Sequence, residues 1–99
     1  MQLAQVVGTL VASQKVTSLD GLRFLVLQAV DPDRKPSGGT VIAIDSVGAG
    51  PGEMVLYASG SSARQTQVTD GRPCDAVVMA IVDNWEVGGE LKYKKGRDD

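Results

Sequence analysis

VIAIDSVGAGPGEMVLYASGSSARQ, residues 41–65, contains two short apolar runs joined by a glycine-rich loop. The runs 41–44 and 54–58 have the length and the β-branched composition of strands. The loop between them has glycines at alternate positions around a proline: Gly48, Gly50, Pro51 and Gly52. Such glycines indicate backbone with positive φ, or backbone so close to another chain that a Cβ would clash. Taken alone, the loop also fits an ordinary flexible hairpin turn.

Length and composition limit how this chain can be stabilised. Its 99 residues, 42% hydrophobic and 22% charged, predict one small domain that buries a modest share of its surface. Small domains usually gain stability from disulfides, metals or oligomerisation. Cys74 is the single cysteine, and the absence of histidine excludes a Cys/His zinc site. Oligomerisation is therefore the remaining route.

Two stretches before residue 41 are apolar on both strand faces. Residues 2–13 alternate imperfectly around Gly8, which predicts a bend or bulge, and residues 23–30 predict a second strand. An antiparallel strand with one face in water would alternate cleanly between polar and apolar residues. The second apolar face must therefore be covered, and other copies of the chain are the simplest cover. We predict a homo-oligomer.

The other segments complete an all-β pattern. Residues 31–39, DPDRKPSGG, predict a surface loop, and Ser61 or Ser62 is expected to cap one short helix. Residues 76–82 predict a strand, and residues 85–95 predict a hairpin that turns at two glycines.

The predicted fold class is all-β and mostly antiparallel. It is a small five-stranded OB-like barrel with one short helix and a C-terminal β-ribbon or tail. We expect residues 1–87 to form a single barrel domain and residues 88–99 to form a partly disordered C-terminal extension.

The sequence offers no set of catalytic residues. Without histidine, the Ser-His-Asp and Cys-His arrangements are excluded, and Cys74 is expected to be a small buried side chain. The glycine loop lacks the P-loop lysine and has Glu53 where the dinucleotide fingerprint requires glycine. Four carboxylates at predicted strand ends are expected to be solvated or paired at an interface: Asp45, Glu53, Asp75 and Asp83. We predict that the chain is not an enzyme and has no cofactor or metal.

Charge and hydropathy restrict the partners. A net charge of −2 and a pI near 5.0 argue against a polyanion ligand. No apolar run has the length of a membrane span, and we expect a cytosolic protein with no membrane partner. The alternative function for an OB-like barrel is a binding module for single-stranded nucleic acid or a small ligand. The chain has only four aromatic residues with which bases could stack, which argues against the nucleic-acid function.

Four stretches resemble the vertex proteins of bacterial microcompartments, the EutN/CcmL family. They span roughly residues 1–83: MQLAQVVGTLVAS, GLRFLVLQAVD, VIAIDSVGAGPGEMVLYASGSSAR and PCDAVVMAIVD. The resemblance implies OB-like barrels that form homopentamers at the fivefold vertices of a polyhedral shell in the bacterial cytoplasm. Hexameric and related shell proteins would be the neighbours. It implies a structural function without catalysis.

The resemblance also implies two groups of contact residues. The first would lie at subunit contacts near the fivefold axis or pore: Gly48, Ala49, Gly50, Gly52 and Glu53. The second would lie at protomer contacts or at the seam with hexamers: Ser59, Gly60, Ser61, Ser62, Ala63 and Arg64. The resemblance leaves open which of these partners the second group meets, and whether the axial pore conducts metabolites.

Overall fold

Seven strands and two 3-10 helices form within residues 1–72 and 75–98, which are the residues that the computed structural model describes. The strands, β1 to β7, run over Gln2–Leu10, Phe24–Val30, Pro36–Asp45, Met54–Ser59, Ala76–Ile81, Asn84–Val87 and Glu90–Lys94. The 3-10 helices are Thr17–Leu19 and Gly60–Arg64. Cys74, expected to be buried, and Asp99, in the expected disordered tail, lie outside the described residues.

The first five strands close into a barrel in the order β1-β2-β3-β5-β4, with β4 pairing back onto β1. Every neighbouring pair is antiparallel except β3 and β5, which run parallel. This order is that of an OB-like barrel and confirms the predicted all-β, mostly antiparallel class. Strands β6 and β7 form a separate two-stranded ribbon, as expected for the C-terminal segment.

The barrel interior takes one face of each strand. Along β2, Leu25 and Leu27 are fully buried, whereas Phe24 and Val26 on the opposite face are only partly buried. This alternation follows from the two-residue period of a strand. The second face is also apolar, as the sequence predicted.

Gly8 lies at a register shift in the pairing of β1 with β2. Val6 pairs with Leu27 and Gly8 with Val26, so Val7 is an additional residue that stays 51% exposed on the outer side. The bulge predicted at Gly8 is confirmed. It allows β1 to bend between its two partner strands, β2 and β4.

The predicted loop 31–39 is shorter in the structure, because β3 already begins at Pro36. Asp31 Oδ1 accepts hydrogen bonds from the backbone N–H groups of Asp33 and Lys35, which closes a tight turn. Proline is tolerated at the first residue of a strand. Residues 36–40 are exposed, and this first part of β3 was not predicted because it has no apolar pattern, whereas residues 41–44 were predicted as a strand.

The expected cap of the short helix was wrong. The helix Gly60–Arg64 has Ser59 at its N-cap position, and no side chain provides a cap hydrogen bond. Ala63 is fully buried in a cluster with Ile44 and Val77, so packing holds this turn in place.

No helix among the described residues has the length and apolar character needed to cross a lipid bilayer.

The ribbon packs on the barrel end formed by the β2–β3 turn. Trp85 stacks on the buried ring of Tyr93 with centroids 4.8 Å apart, and its Nε1 donates to the Pro32 carbonyl at 2.9 Å. Lys92 Nζ lies 3.1 Å from Asp33 Oδ1, and hydrogen bonds to Asp33 and Glu90 raise the Lys92 pKa above its ordinary value. The division at residue 87 and the partial disorder after it stay predictions.

Candidate assembly site

The three glycines of the loop do not share one physical reason for being glycine. Gly48 and Gly52 adopt positive φ, 79° and 90°, which favours glycine over any residue with a side chain. Gly50 does not adopt positive φ, and a Cβ there would meet only Glu53 Oε1, at 3.6 Å. That separation is an ordinary contact. Nothing within the described protomer therefore requires glycine at position 50.

Asp45 organises the start of this loop from the end of β3. Its side chain is 3% exposed, and Oδ1 accepts backbone N–H bonds from Val47, Gly48 and Ala49 at 3.0–3.2 Å. Such convergence of three amides on one carboxylate oxygen fixes the turn. The expectation that Asp45 would be solvated or paired at an interface was wrong, because its partners lie within the same chain.

Arg23 closes the same cluster from the segment before β2. Its Nη1 donates to Asp45 Oδ2 at 2.6 Å and to the Ala49 carbonyl at 2.9 Å. Ala49 itself is fully buried in the main core. The loop is thus anchored by an ion pair, a buried methyl group and the backbone.

Glu53 holds the far side of the loop. Oε1 accepts the Gly50 N–H at 2.6 Å, and Oε2 forms an ion pair with Lys95, at the end of the C-terminal ribbon. The backbone adds two bonds to β1, from Gly52 N to Val6 O at 2.8 Å and from Val6 N to Glu53 O at 2.9 Å. The ribbon therefore contacts the glycine loop through the Glu53 carboxylate.

We expect Lys95→Ala to loosen this loop without unfolding the barrel. The pair is partly exposed, so its loss should cost at most about 1 kcal/mol, which corresponds to roughly fivefold faster amide exchange at residues 48–53. Hydrogen exchange with mass spectrometry measures the effect, and raised salt should reduce the difference from wild type. Lys94→Ala, at the exposed neighbouring position, is the control. Equal exchange in both variants would show that Lys95 does not restrain the loop.

The second predicted group surrounds the 3-10 helix after β4. Four of its side chains are exposed: Ser59, Ser61, Ser62 and Arg64. Ala63 is buried within the protomer. Gly60 has φ 65° and donates its N–H to the Asp75 carbonyl at 2.9 Å, which joins this turn to the segment before β5.

The structure does not bring the two predicted groups together. The glycine loop precedes Met54 and the second group begins at Ser59, the two ends of β4. Five residue steps of a strand span roughly 17 Å. The two groups therefore face different parts of the protomer surface.

Sequence reasoning missed both cationic partners of the loop. Arg23 and Asp45 are 22 positions apart, and Lys95 and Glu53 are 42 apart. Neither pair has a recognisable spacing. The one usable signal was the carboxylate placed directly after a strand and before a glycine loop, where backbone N–H groups need an acceptor.

This arrangement is suited to contact between proteins. Among residues 1–72 and 75–98 there is no cluster of His, Cys, Asp or Glu that could hold a metal ion. The surface instead offers a braced glycine loop and exposed aliphatic side chains on a closed barrel. Fold and site define a small OB-like barrel with a fixed glycine loop and exposed aliphatic side chains.

Comparison with known proteins gives the family. The sequence model described as "Ethanolamine utilisation protein EutN/carboxysome" matches residues 1–83. The carboxysome shell vertex protein CcmL of Gloeobacter violaceus is 44% identical over 95 residues, which cover 96% of this chain and 95% of that protein. The microcompartment shell vertex protein EutN of Escherichia coli is 40% identical over 95 residues, covering 96% and 100%. This chain belongs to the EutN/CcmL family of shell vertex proteins.

A solved structure adds the assembly state of one relative. The GrpN pentameric microcompartment shell protein from Rhodospirillum rubrum superposes with a TM-score of 0.80 at 41% identity. The match covers 88% of this chain and 99% of that one. The relatives are structural shell proteins, in agreement with the prediction that this chain is not an enzyme.

Proposed function

We propose that this chain forms homopentamers that cap the fivefold vertices of a polyhedral microcompartment shell in the bacterial cytoplasm. Hexameric and related shell proteins would surround each vertex. The observation that carries the proposal is an apolar outer face on the barrel of a chain related, over nearly its full length, to shell vertex proteins. The mechanism is geometric, because fivefold association supplies curvature that hexameric tiles alone lack.

The outer face of β1, β2 and β3 is the proposed contact between sister subunits. Val7 is 51% exposed and Ile42 is 45% exposed, and Val26 lies between Gly8 and Ile42 in the strand register. Leu10 extends the same face. Clustered aliphatic exposure of this kind is typical of protein interfaces, and burying it would favour ring closure.

The glycine loop is proposed to face the fivefold axis. Neither the backbone conformation at position 50 nor packing within the described protomer requires a glycine there. This supports a close approach by other chains. The braces from Asp45 and Glu53 would hold five copies of the loop in one conformation. Small residues there permit five backbones to converge without clashes.

The exposed part of the second group is proposed to contact either a sister subunit or a hexameric neighbour. Arg64 is the strongest candidate, because its planar guanidinium can bind a carboxylate or carbonyl group across an interface. Its location at the opposite end of β4 from the glycine loop gives the ring two distinct contact regions.

The alternative is a binding module for single-stranded nucleic acid or a small ligand, and its nucleic-acid form is less well supported. Tyr57 and Tyr93 are buried, and Trp85 is stacked on Tyr93. Base stacking needs exposed aromatic faces along a basic groove. Three of the four aromatic side chains, Tyr57, Trp85 and Tyr93, therefore serve packing within the protomer.

We expect the chain to have five times its protomer mass of 10.4 kDa in native mass spectrometry, and Ile42→Glu to weaken the ring. A carboxylate buried at each contact should raise the dissociation midpoint at least tenfold, or about 1.4 kcal/mol. Ser37→Glu, an exposed site earlier on β3, is the matched control. A strictly monomeric wild-type chain at micromolar concentration would contradict the proposed function.

A further inference from the structure

We propose that the tip of the C-terminal ribbon docks into a groove at the far end of the barrel of the next subunit in the ring. The proposal rests on the proposed homopentamer and assigns one of its contacts. It joins the C-terminal ribbon, which lies beyond the residues 1–83 matched by the family model, to a groove within them.

The groove lies where β1 ends and β2 begins. It encloses about 310 Å³, which suits a few side chains rather than a large ligand. Its apolar lining comes from Leu10, Val11, Ala12, Leu22 and Phe24. Val11 is 92% exposed, which is unusual for an aliphatic side chain beside an apolar groove.

Two cations also line the groove. Lys15 Nζ is 3.9 Å from Asp20 Oδ1 and donates to the Ala12 carbonyl at 3.0 Å. The Arg23 guanidinium is half exposed, and it uses Nη1 for Asp45 while carrying further N–H donors. An occupant with aliphatic side chains and flanking carboxylates would match this lining.

The ribbon tip has this chemistry. Gly88 and Gly89 form the turn with positive φ, and they leave its apex narrow. Val87 pairs across the ribbon with Glu90, and Glu86 pairs with Leu91. Because cross-strand partners share a face, each face of the tip presents one aliphatic side chain and one carboxylate. Val87 and Leu91 are 49% and 41% exposed.

A chain's own tip does not reach its own groove. The ribbon is anchored in the cluster that includes Leu3, whereas Leu10 lines the groove, and seven residue steps of β1 span roughly 23 Å. The free part of the ribbon, from Trp85 to Gly88, extends about 10 Å. Donor and acceptor surfaces at opposite ends of one protomer make a heterologous contact, which is the type that closes rings.

The charged groups would guide the contact more than they strengthen it. Glu90 already lies 3.4 Å from Lys92, so its carboxylate is shared in the free protomer. Glu86 is exposed beside Leu91, and it is the better partner for Lys15, because Arg23 is already paired with Asp45. Complementary charges at an interface mainly set orientation and association rate.

A cysteine cross-link tests the contact directly. In a Cys74→Ala background, Val11→Cys with Val87→Cys should oxidise to disulfide-linked multimers that end at a covalent pentamer on a non-reducing gel. Val16→Cys with Val87→Cys is the control, because Val16 is also exposed but does not line the groove. Oxidation at low micromolar concentration favours contacts within a ring over contacts between rings.

Native mass spectrometry of the same reduced variants separates the two proposals. Intact pentamers that cross-link no faster than the control, or that link only into species larger than five chains, would overturn the docking and leave the proposed function standing. A disulfide within one chain would also overturn it. Absence of pentamers in the wild-type chain would reject the proposed function together with the docking.

A charge exchange provides a second readout on the folded protein. When the protein is diluted out of urea, Glu86→Lys should slow the re-formation of pentamers severalfold. Adding Lys15→Glu should restore the rate. Slowing without restoration would indicate that Glu86 acts elsewhere and would count against the docking.

Discussion

Gly50→Trp is expected to abolish the pentamer while the barrel remains folded. Position 50 has an ordinary φ, and a Cβ there meets only a carboxylate oxygen at 3.6 Å, so the protomer can accept a side chain. Around a fivefold axis, five indoles would compete for one small space. Overpacking costs about 1–3 kcal/mol at each site, and the ring incurs it five times. Native mass spectrometry should show monomers, and electron microscopy should show shells that fail to close.

Gly39→Trp is the matched control for this variant. Gly39 is exposed on β3, has no positive φ, and has open space around an added Cβ. It should keep the pentamer, and both variants should keep the far-ultraviolet circular dichroism of wild type. If pentamers persist in Gly50→Trp, the proposal that the glycine loop lies at the fivefold axis is wrong. The ring itself could still form through the β1–β3 face.

Asp45→Ala is expected to lower the free energy of unfolding strongly. It would leave three backbone N–H groups without their acceptor and the Arg23 guanidinium without its ion-pair partner. Breaking a buried ion pair costs about 3–5 kcal/mol, and the half-exposed Arg23 reduces this to about 2–4 kcal/mol. Domains of this size are stable by only about 5–15 kcal/mol.

Urea unfolding at one fixed protomer concentration measures this loss, because an oligomer's stability depends on concentration. Arg23→Ala should cost less, since Asp45 then keeps its three amides. Asp75→Ala, an exposed carboxylate before β5, should change the unfolding free energy by less than about 0.5 kcal/mol. If Asp45→Ala were as mild as Asp75→Ala, the loop would not depend on this carboxylate.

The glycine loop shows how far a local pattern can predict a site. The sequence indicated glycines that need positive φ or close approach, and the protomer supplies the first reason at Gly48 and Gly52. At Gly50 the described protomer supplies neither a positive φ nor a close backbone approach. A single sequence shows that a glycine is present but not why it is needed, since the reason can lie in contact with another chain.

The ribbon illustrates the opposite case. Its two strands and glycine turn were predicted from local composition, and the structure has them at Asn84–Val87 and Glu90–Lys94. Its packing on the β2–β3 turn was not predicted, because stacking of Trp85 on Tyr93 and the bond to Pro32 depend on how distant segments meet.

The sequence alone determined the fold class, most of the strand-forming segments and the family of this protein. These depend on two-residue periodicity, glycine placement and local motifs, all of which are properties of neighbouring residues. Tertiary structure decided that Arg23 and Asp45 brace the loop, that Lys95 reaches Glu53, and which aliphatic side chains stay exposed. Barrel closure brings residues 22 and 42 positions apart into contact, and no local pattern encodes such distances.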